Sequence, residues 1–149
     1  MIVAIESAST DPSVAVTADD GEPLAVDGWS GGPGQGREIM PRLLAAVERA
    51  GRRLGETTAV AVGIGPGSFT GLRVGMSLAK GIAFGLEVPI VGIPSLVAWL
   101  AAEPDARAAL AAERLAADGS GDDLRTLEPA YLRMPRGIRE LPAETVKWL

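Results

Sequence analysis

Apolar and polar positions fall into short blocks along the first third of the chain. Residues 2–5 and 13–17 are β-branched runs separated by the polar turn Glu6-Ser7-Ala8-Ser9-Thr10-Asp11-Pro12. Asp20-Gly21 marks a second turn before a third candidate strand at 23–29. That spacing predicts an antiparallel meander. Residues 30–36 (SGGPGQG) are a flexible loop by composition. The period then changes. Ile39, Met40, Leu43, Leu44 and Val47 recur at three- and four-residue spacing and predict a helix over 37–53. Pro41 sits near its first turn, where a missing N–H costs little, and Gly51 and Gly55 end it. The apolar run 57–64 predicts a buried strand, 70–86 a second helix, 89–93 another strand, and Pro94-Ser95 opens a third helix through Ala102. A meander followed by this alternation predicts an α/β fold with a mixed sheet. After Glu103 the composition shifts. Residues 105–117 have high helix propensity, 118–123 form a loop, and 127–133 read as a short extended segment. The last fifteen residues carry no assignable pattern, and there is no internal repeat.

Composition narrows the chemistry. The chain has 149 residues, 47% apolar and 22% charged, enough for one domain with a real core. It has no cysteine and no histidine. Disulfides, thiolate metal sites, Ser-His-Asp triads, HExxH zinc motifs and imidazole acid–base catalysis are therefore excluded. Fourteen basic against nineteen acidic side chains give a net charge of −5, which speaks against a general nucleic-acid binder. The longest weakly polar run, 88–102, is short and broken by Pro89, Gly92 and Pro94, so no membrane span is expected. The start of the chain lacks a basic leader and reads as a strand. A cytoplasmic protein is the expectation.

One segment could carry chemistry. Gly65, Gly67, Ser68, Thr70 and Gly71 form a glycine-rich loop between a strand and a helix, a place where backbone N–H groups can cradle phosphate. The known spacings fail. No two glycines near the loop stand five apart before Lys-Ser/Thr, and the third position of G-x-G-x-x-G is Thr70. The simpler reading is a tight turn with Ser68 or Thr70 as N-cap.

The helix after the loop says more. At 100° per residue, Gly71, Gly75, Leu78, Ile82 and Gly85 share one face, flanked by Leu72, Ala79, Ala83, Leu86 and Val74. The remaining face carries Arg73, Met76, Lys80 and Phe84. A helix apolar nearly all round is buried on more than one side, and a single sheet covers only one. The other side calls for a partner chain or for cover by the third helix. Met, Phe and Arg are interface-enriched types and favour the partner.

The run 65–75 (GPGSFTGLRVG) through Ala79-Lys80-Gly81 closely resembles the signature of the TsaB (YeaZ) family. So do the opening 2–9 (IVAIESAS), the strand 88–96 and the segment 127–133 (LEPAYLR). The resemblance covers about residues 1–102 continuously, then the last helix and tail. It implies a single actin-like, ribonuclease H-like subdomain with a five-stranded mixed sheet and flanking helices. It further implies a non-catalytic partner of TsaD, the enzyme that installs threonylcarbamoyl on adenosine 37 of tRNA. Members pair with TsaD, or with themselves, through helices of the first subdomain. The expected partner surface is therefore Leu72, Arg73, Met76, Lys80 and Phe84, with Met40 and Leu44 of the neighbouring helix. No cofactor, catalytic residue or metal is expected, and tRNA is met only through the complex.

Three departures stand out. The family often opens the first helix with His-x-x-x-Leu-x-Pro, but Gln35 stands six before Pro41. The first strand ends in Glu6 rather than Asp. The expected organisation is one lobe at 1–102 with 103–149 packing on it, the family's second lobe being absent. Two alternatives stay open. One is a small nucleotide-binding ATPase or glycoprotease-like enzyme using the 65–71 loop. The other is a stand-alone dimer without a tRNA role. Glu6, Asp11 and Asp27 could in principle hold Mg²⁺, but their spacing reads as solvated or turn-capping carboxylates.

Overall fold

The structure, a computed structural model, describes residues 1–32, 34, 36–95 and 106–131. Five strands form one sheet in the order β3-β2-β1-β4-β5. They are β1 (Ile2–Glu6), β2 (Ser13–Thr17), β3 (Pro23–Gly28), β4 (Ala59–Gly63) and β5 (Ile90–Ile93). β1–β2 and β2–β3 pair antiparallel, whereas β1–β4 and β4–β5 pair parallel. The expected meander, mixed sheet and α/β class are all present.

Among the described residues three helices flank the sheet: α1 (Gly36–Arg49), α2 (Phe69–Leu86) and α3 (Ala106–Asp118). Val3, Ile5, Val14, Val16, Val60 and Val62 point to one side and pack with Ile39, Leu43, Val47, Met76 and Ile82 of α1 and α2. Ile2, Ala4, Ala15, Ala59, Ala61 and Val91 point to the other, against Ala111 and Ala112 of α3. The alternation follows from the two-residue side-chain period of a strand. Burying both faces explains why β4 is apolar throughout and β1 is apolar up to Glu6. The helix expected to follow Pro94 and the chain beyond 131 lie outside the described residues.

One helix end corrects the sequence reading, and the end of α2 falls at Leu86 as expected. α1 stops at Arg49, not Arg53, because Gly51 takes a left-handed φ of 66°. The Gly51 N–H then bonds Glu48 O and the Arg52 N–H bonds Val47 O, the paired closure of a Schellman end. Residues Leu54–Glu56 continue as a separate 3₁₀ turn. α2 ends the same way, but Glu87 is the residue at positive φ (55°). A side chain there costs about 1–2 kcal/mol. Glu87→Gly is therefore expected to raise the unfolding free energy by about 1 kcal/mol in urea titrations.

Candidate docking face and the glycine-rich loop

The glycine-rich loop is held by protein on two sides. Ser68 caps α2, its Oγ accepting from Gly71 N at 3.3 Å. The Ser68 N–H bonds Ala8 O at 2.7 Å. Ser7 Oγ donates to Gly71 O at 2.7 Å. A Cβ on Gly71 would overlap the Ser7 carbonyl oxygen, and one on Gly75 would overlap Ser7 Oγ. The i, i+4 glycine pair thus serves a close approach of α2 to the turn after β1. Gly65, at φ 100°, meets Ala130 on its other side.

Beneath the loop lies a buried polar cluster. Glu6 is 3% exposed. Its Oε2 accepts from Ser95 Oγ at 2.8 Å, and its Oε1 accepts from Ala8 N. Ser95 Oγ also accepts from Gly65 N at 3.2 Å, and Ser95 N bonds Gly65 O at 2.8 Å. Gly63 has no room for a side chain, since its Cβ would overlap Glu6 Oε2. The carboxyl ends of β1, β4 and β5, where open α/β sheets usually receive ligands, are here knitted to one another. Ser95→Ala removes a donor from a buried carboxylate, and the expected loss is about 1–3 kcal/mol of unfolding free energy.

Glu6, Asp11 and Asp27 do not converge. Asp11 is exposed in the β1–β2 turn. Asp27 lies two strands from Glu6 and pairs with Arg42 at 3.3 Å and Arg49 at 3.9 Å. Arg42 also bonds Glu38 at 2.9 Å and stacks over Trp29 at 4.6 Å. Those bonds, Glu38 first and then Asp27, raise the guanidinium above its ordinary pKa.

Beside the loop, a cleft of about 610 Å³ opens between the starts of α1 and α2, lined among others by Ser7, Arg37, Ser68, Thr70 and Val74.

The α2 surface differs from the expected one in a definite way. Leu72 and Met76 are 1% and 5% exposed and belong to the core, so neither forms the outer surface. The sheet and α1 together wrap more of the helix than a flat sheet would, and Met76 falls within that arc. The outward face runs through Arg73, Ser77, Gly81, Phe84 and Gly85, with Lys80 half-buried at its edge. Phe84 is 78% exposed. Nothing lies within 4 Å of where a Cβ on Gly81 or Gly85 would stand. On α1, Leu44 is 44% exposed and Met40 half-buried. The exposed row Ser77-Gly81-Gly85 escaped the sequence reading, which grouped Gly85 on one face with Gly71, Gly75, Leu78 and Ile82.

A family model described as TsaD, tRNA N6-adenosine threonylcarbamoyltransferase, matches residues 36–116. The TsaB protein of Haemophilus influenzae, described as a tRNA threonylcarbamoyladenosine biosynthesis protein, is 42% identical over 62 residues. The Escherichia coli TsaB protein is 39% identical over 61 residues. YeaZ from Pseudomonas aeruginosa superposes with a TM-score of 0.58 at 27% identity, covering 62% of this chain and 43% of that one. The chain belongs to the TsaB/YeaZ family. Its fold is the one the resemblance implied. The aligned segments cover 42% and 41% of this chain, and 26% of either curated TsaB relative. Among the described residues no helix is long and apolar enough to cross a membrane.

Proposed function

We propose that this TsaB-family chain is a non-catalytic subunit that supports threonylcarbamoyl transfer to adenosine 37 of tRNA by docking a partner on the outward face of α2. The observation that carries the reading is Phe84, 78% exposed beside two glycines with open space above them. Large exposed apolar groups next to backbone that another helix can approach are what a docking face requires. Leu44 and Met40 extend the patch onto α1.

The charges favour a partner built the same way. α1 and α2 each connect strands running in one direction, so they lie parallel. On α2, Arg73 stands near the start and Glu87 just past the end, both exposed, whereas α1 mixes the signs, with Arg37 beside Glu38 at its start and Glu48 beside Arg49 at its end. A two-fold contact between two such α2 helices sets the Arg73 end of one toward the Glu87 end of the other. A second copy satisfies this, and so does a TsaD-type subunit presenting the same two helices. The chain then acts in the cytoplasm, as one lobe at 1–102 with the following residues packed on it, and meets tRNA only through the complex.

The deciding experiment is co-purification with the same organism's TsaD, read by sedimentation. Formation of a stoichiometric complex supports the proposal. Failure to associate with TsaD, together with normal tRNA modification in a deletion strain, supports a stand-alone dimer instead. One observation favours a second reading, a small nucleotide-binding ATPase: the cleft beside Arg37, Ser68 and Thr70. Stoichiometric ATP–Mg²⁺ binding by calorimetry, with hydrolysis lost in Ser68→Ala, would support it. The loop's close packing on Ser7 and Ala8 weighs the other way.

A further inference from the structure

The segment after α3 runs along the free edge of β5 and finishes against the start of α2. Its anchors are specific. Asp122 N bonds Ile90 O at 2.7 Å, and Asp122 Oδ2 accepts from Gly92 N at 2.7 Å. Arg114 of α3 grips Asp122 with two bonds, 2.6 and 3.0 Å, and reaches Gly92 O at 3.2 Å. Gly121 must be glycine or nearly so, since its Cβ would press on Ile90 O at 2.6 Å. Leu124 and Leu127 pack on the core. Ala130 N then bonds Ile64 O at 2.6 Å, inside the strand-to-loop junction before Gly65.

The next residue reaches the helix. The Tyr131 ring lies 5.1 Å from the Phe69 ring, tilted by 40°. Phe69 is the first residue of α2, and Arg73, one turn on, places its guanidinium over the Phe69 ring, 4.7 Å from the centroid. Aromatic pairs at this separation and cations over rings each hold a geometry at modest energy. Long arginine side chains on an open face lose several rotamers on docking, so one held in place beforehand binds at lower entropic cost.

We propose that residues 121–131 are a strap that presets the docking face, with Tyr131 a positioning residue that acts on Arg73 through Phe69. The partner is the one under the proposed function, a subunit presenting an acidic group to Arg73, and the inference rests on that reading. Tyr131 need not touch the partner to matter. The contact is between two tilted rings, so the phenolic hydroxyl is dispensable.

Tyr131→Ala, Tyr131→Phe and the parent chain separate the possibilities. Two readouts are needed: association by sedimentation, alone and with the TsaD-type subunit, and the Arg73 side-chain Nε–H resonance in the unassociated protein. The aromatic ring currents at Phe69 make that resonance a reporter independent of any partner. With Tyr131→Ala, the Arg73 resonance should shift toward its free-arginine position and association should weaken about tenfold. Tyr131→Phe should leave both within twofold of the parent. An unmoved Arg73 resonance in Tyr131→Ala overturns the strap. A moved resonance with undiminished association overturns its role in docking. If the parent itself fails to associate with either partner while the resonance still moves, the functional reading fails and the strap as a docking device fails with it, the Tyr131–Phe69–Arg73 coupling alone surviving.

Discussion

Phe84→Asp is expected to weaken association at least a hundredfold, roughly 2.8 kcal/mol, while leaving the folded chain as stable as before. The side chain is 78% exposed, so the free protein loses almost no buried apolar area. A docked partner, by contrast, would desolvate a carboxylate against glycine backbone and apolar neighbours without a counter-charge. Met76→Asp should do the opposite. Met76 is 5% exposed within the core between α2 and the sheet, so a charge there unfolds the domain before any partner is met. Thermal denaturation beside sedimentation separates the two outcomes. Loss of the fold in Phe84→Asp, or unaltered association, would contradict the docking face.

Gly71→Ala should cost about 3 kcal/mol of stability, and Gly81→Ala should add up to about 1 kcal/mol. Both glycines are inside α2, so both substitutions gain the same helix propensity. What differs is the space. The Gly71 Cβ would overlap the carbonyl oxygen of Ser7, a backbone atom tied into the turn after β1. The Gly81 Cβ meets nothing within 4 Å. In a chain of this size, Gly71→Ala should lower Tm by roughly 10 °C. Equal Tm values for the two variants would show that the turn and the helix are not locked as described. Gly81→Leu adds a further contrast, because a bulky side chain on the outer face should impair docking with no loss of monomer stability.

These pairs show where the sequence was informative. The strands and their order of appearance were legible as short β-branched or apolar runs between turn signals, α1 by its three-to-four-residue period and α3 by its helix-forming composition. α1 was read four residues too long, because a Gly51 that ends a helix by adopting positive φ looks the same in sequence as one merely near its end. The rotation of α2 was less legible. Small residues at 71, 75, 81 and 85 signal close approach, but not what approaches. Gly71 and Gly75 answer to Ser7, more than sixty residues away in the chain, whereas Gly81 and Gly85 face outward. Leu72 and Met76 were expected outside for the same reason. A helical wheel places residues on a face but does not measure how far a sheet and a neighbouring helix wrap around it. The Glu6–Ser95–Gly65 cluster joins three strand ends through long-range bonds and had no local signature at all. The Tyr131–Phe69–Arg73 stack has the same character, since each member is unremarkable until the chain is folded.

The absence of cysteine offers the most direct test of the docking face. Ser77→Cys puts a single thiol on the outer row of α2, and Ser120→Cys puts one at an exposed position just past α3, the helix on the opposite face of the sheet. Maleimide labelling of each is measured free and in complex with the TsaD-type subunit, or as a self-associated species. Labelling at position 77 is expected to slow at least tenfold on association while position 120 is unaffected. Complex formation with position 77 labelled at its free rate would place the partner elsewhere and rule out the outer face of α2 as the docking surface.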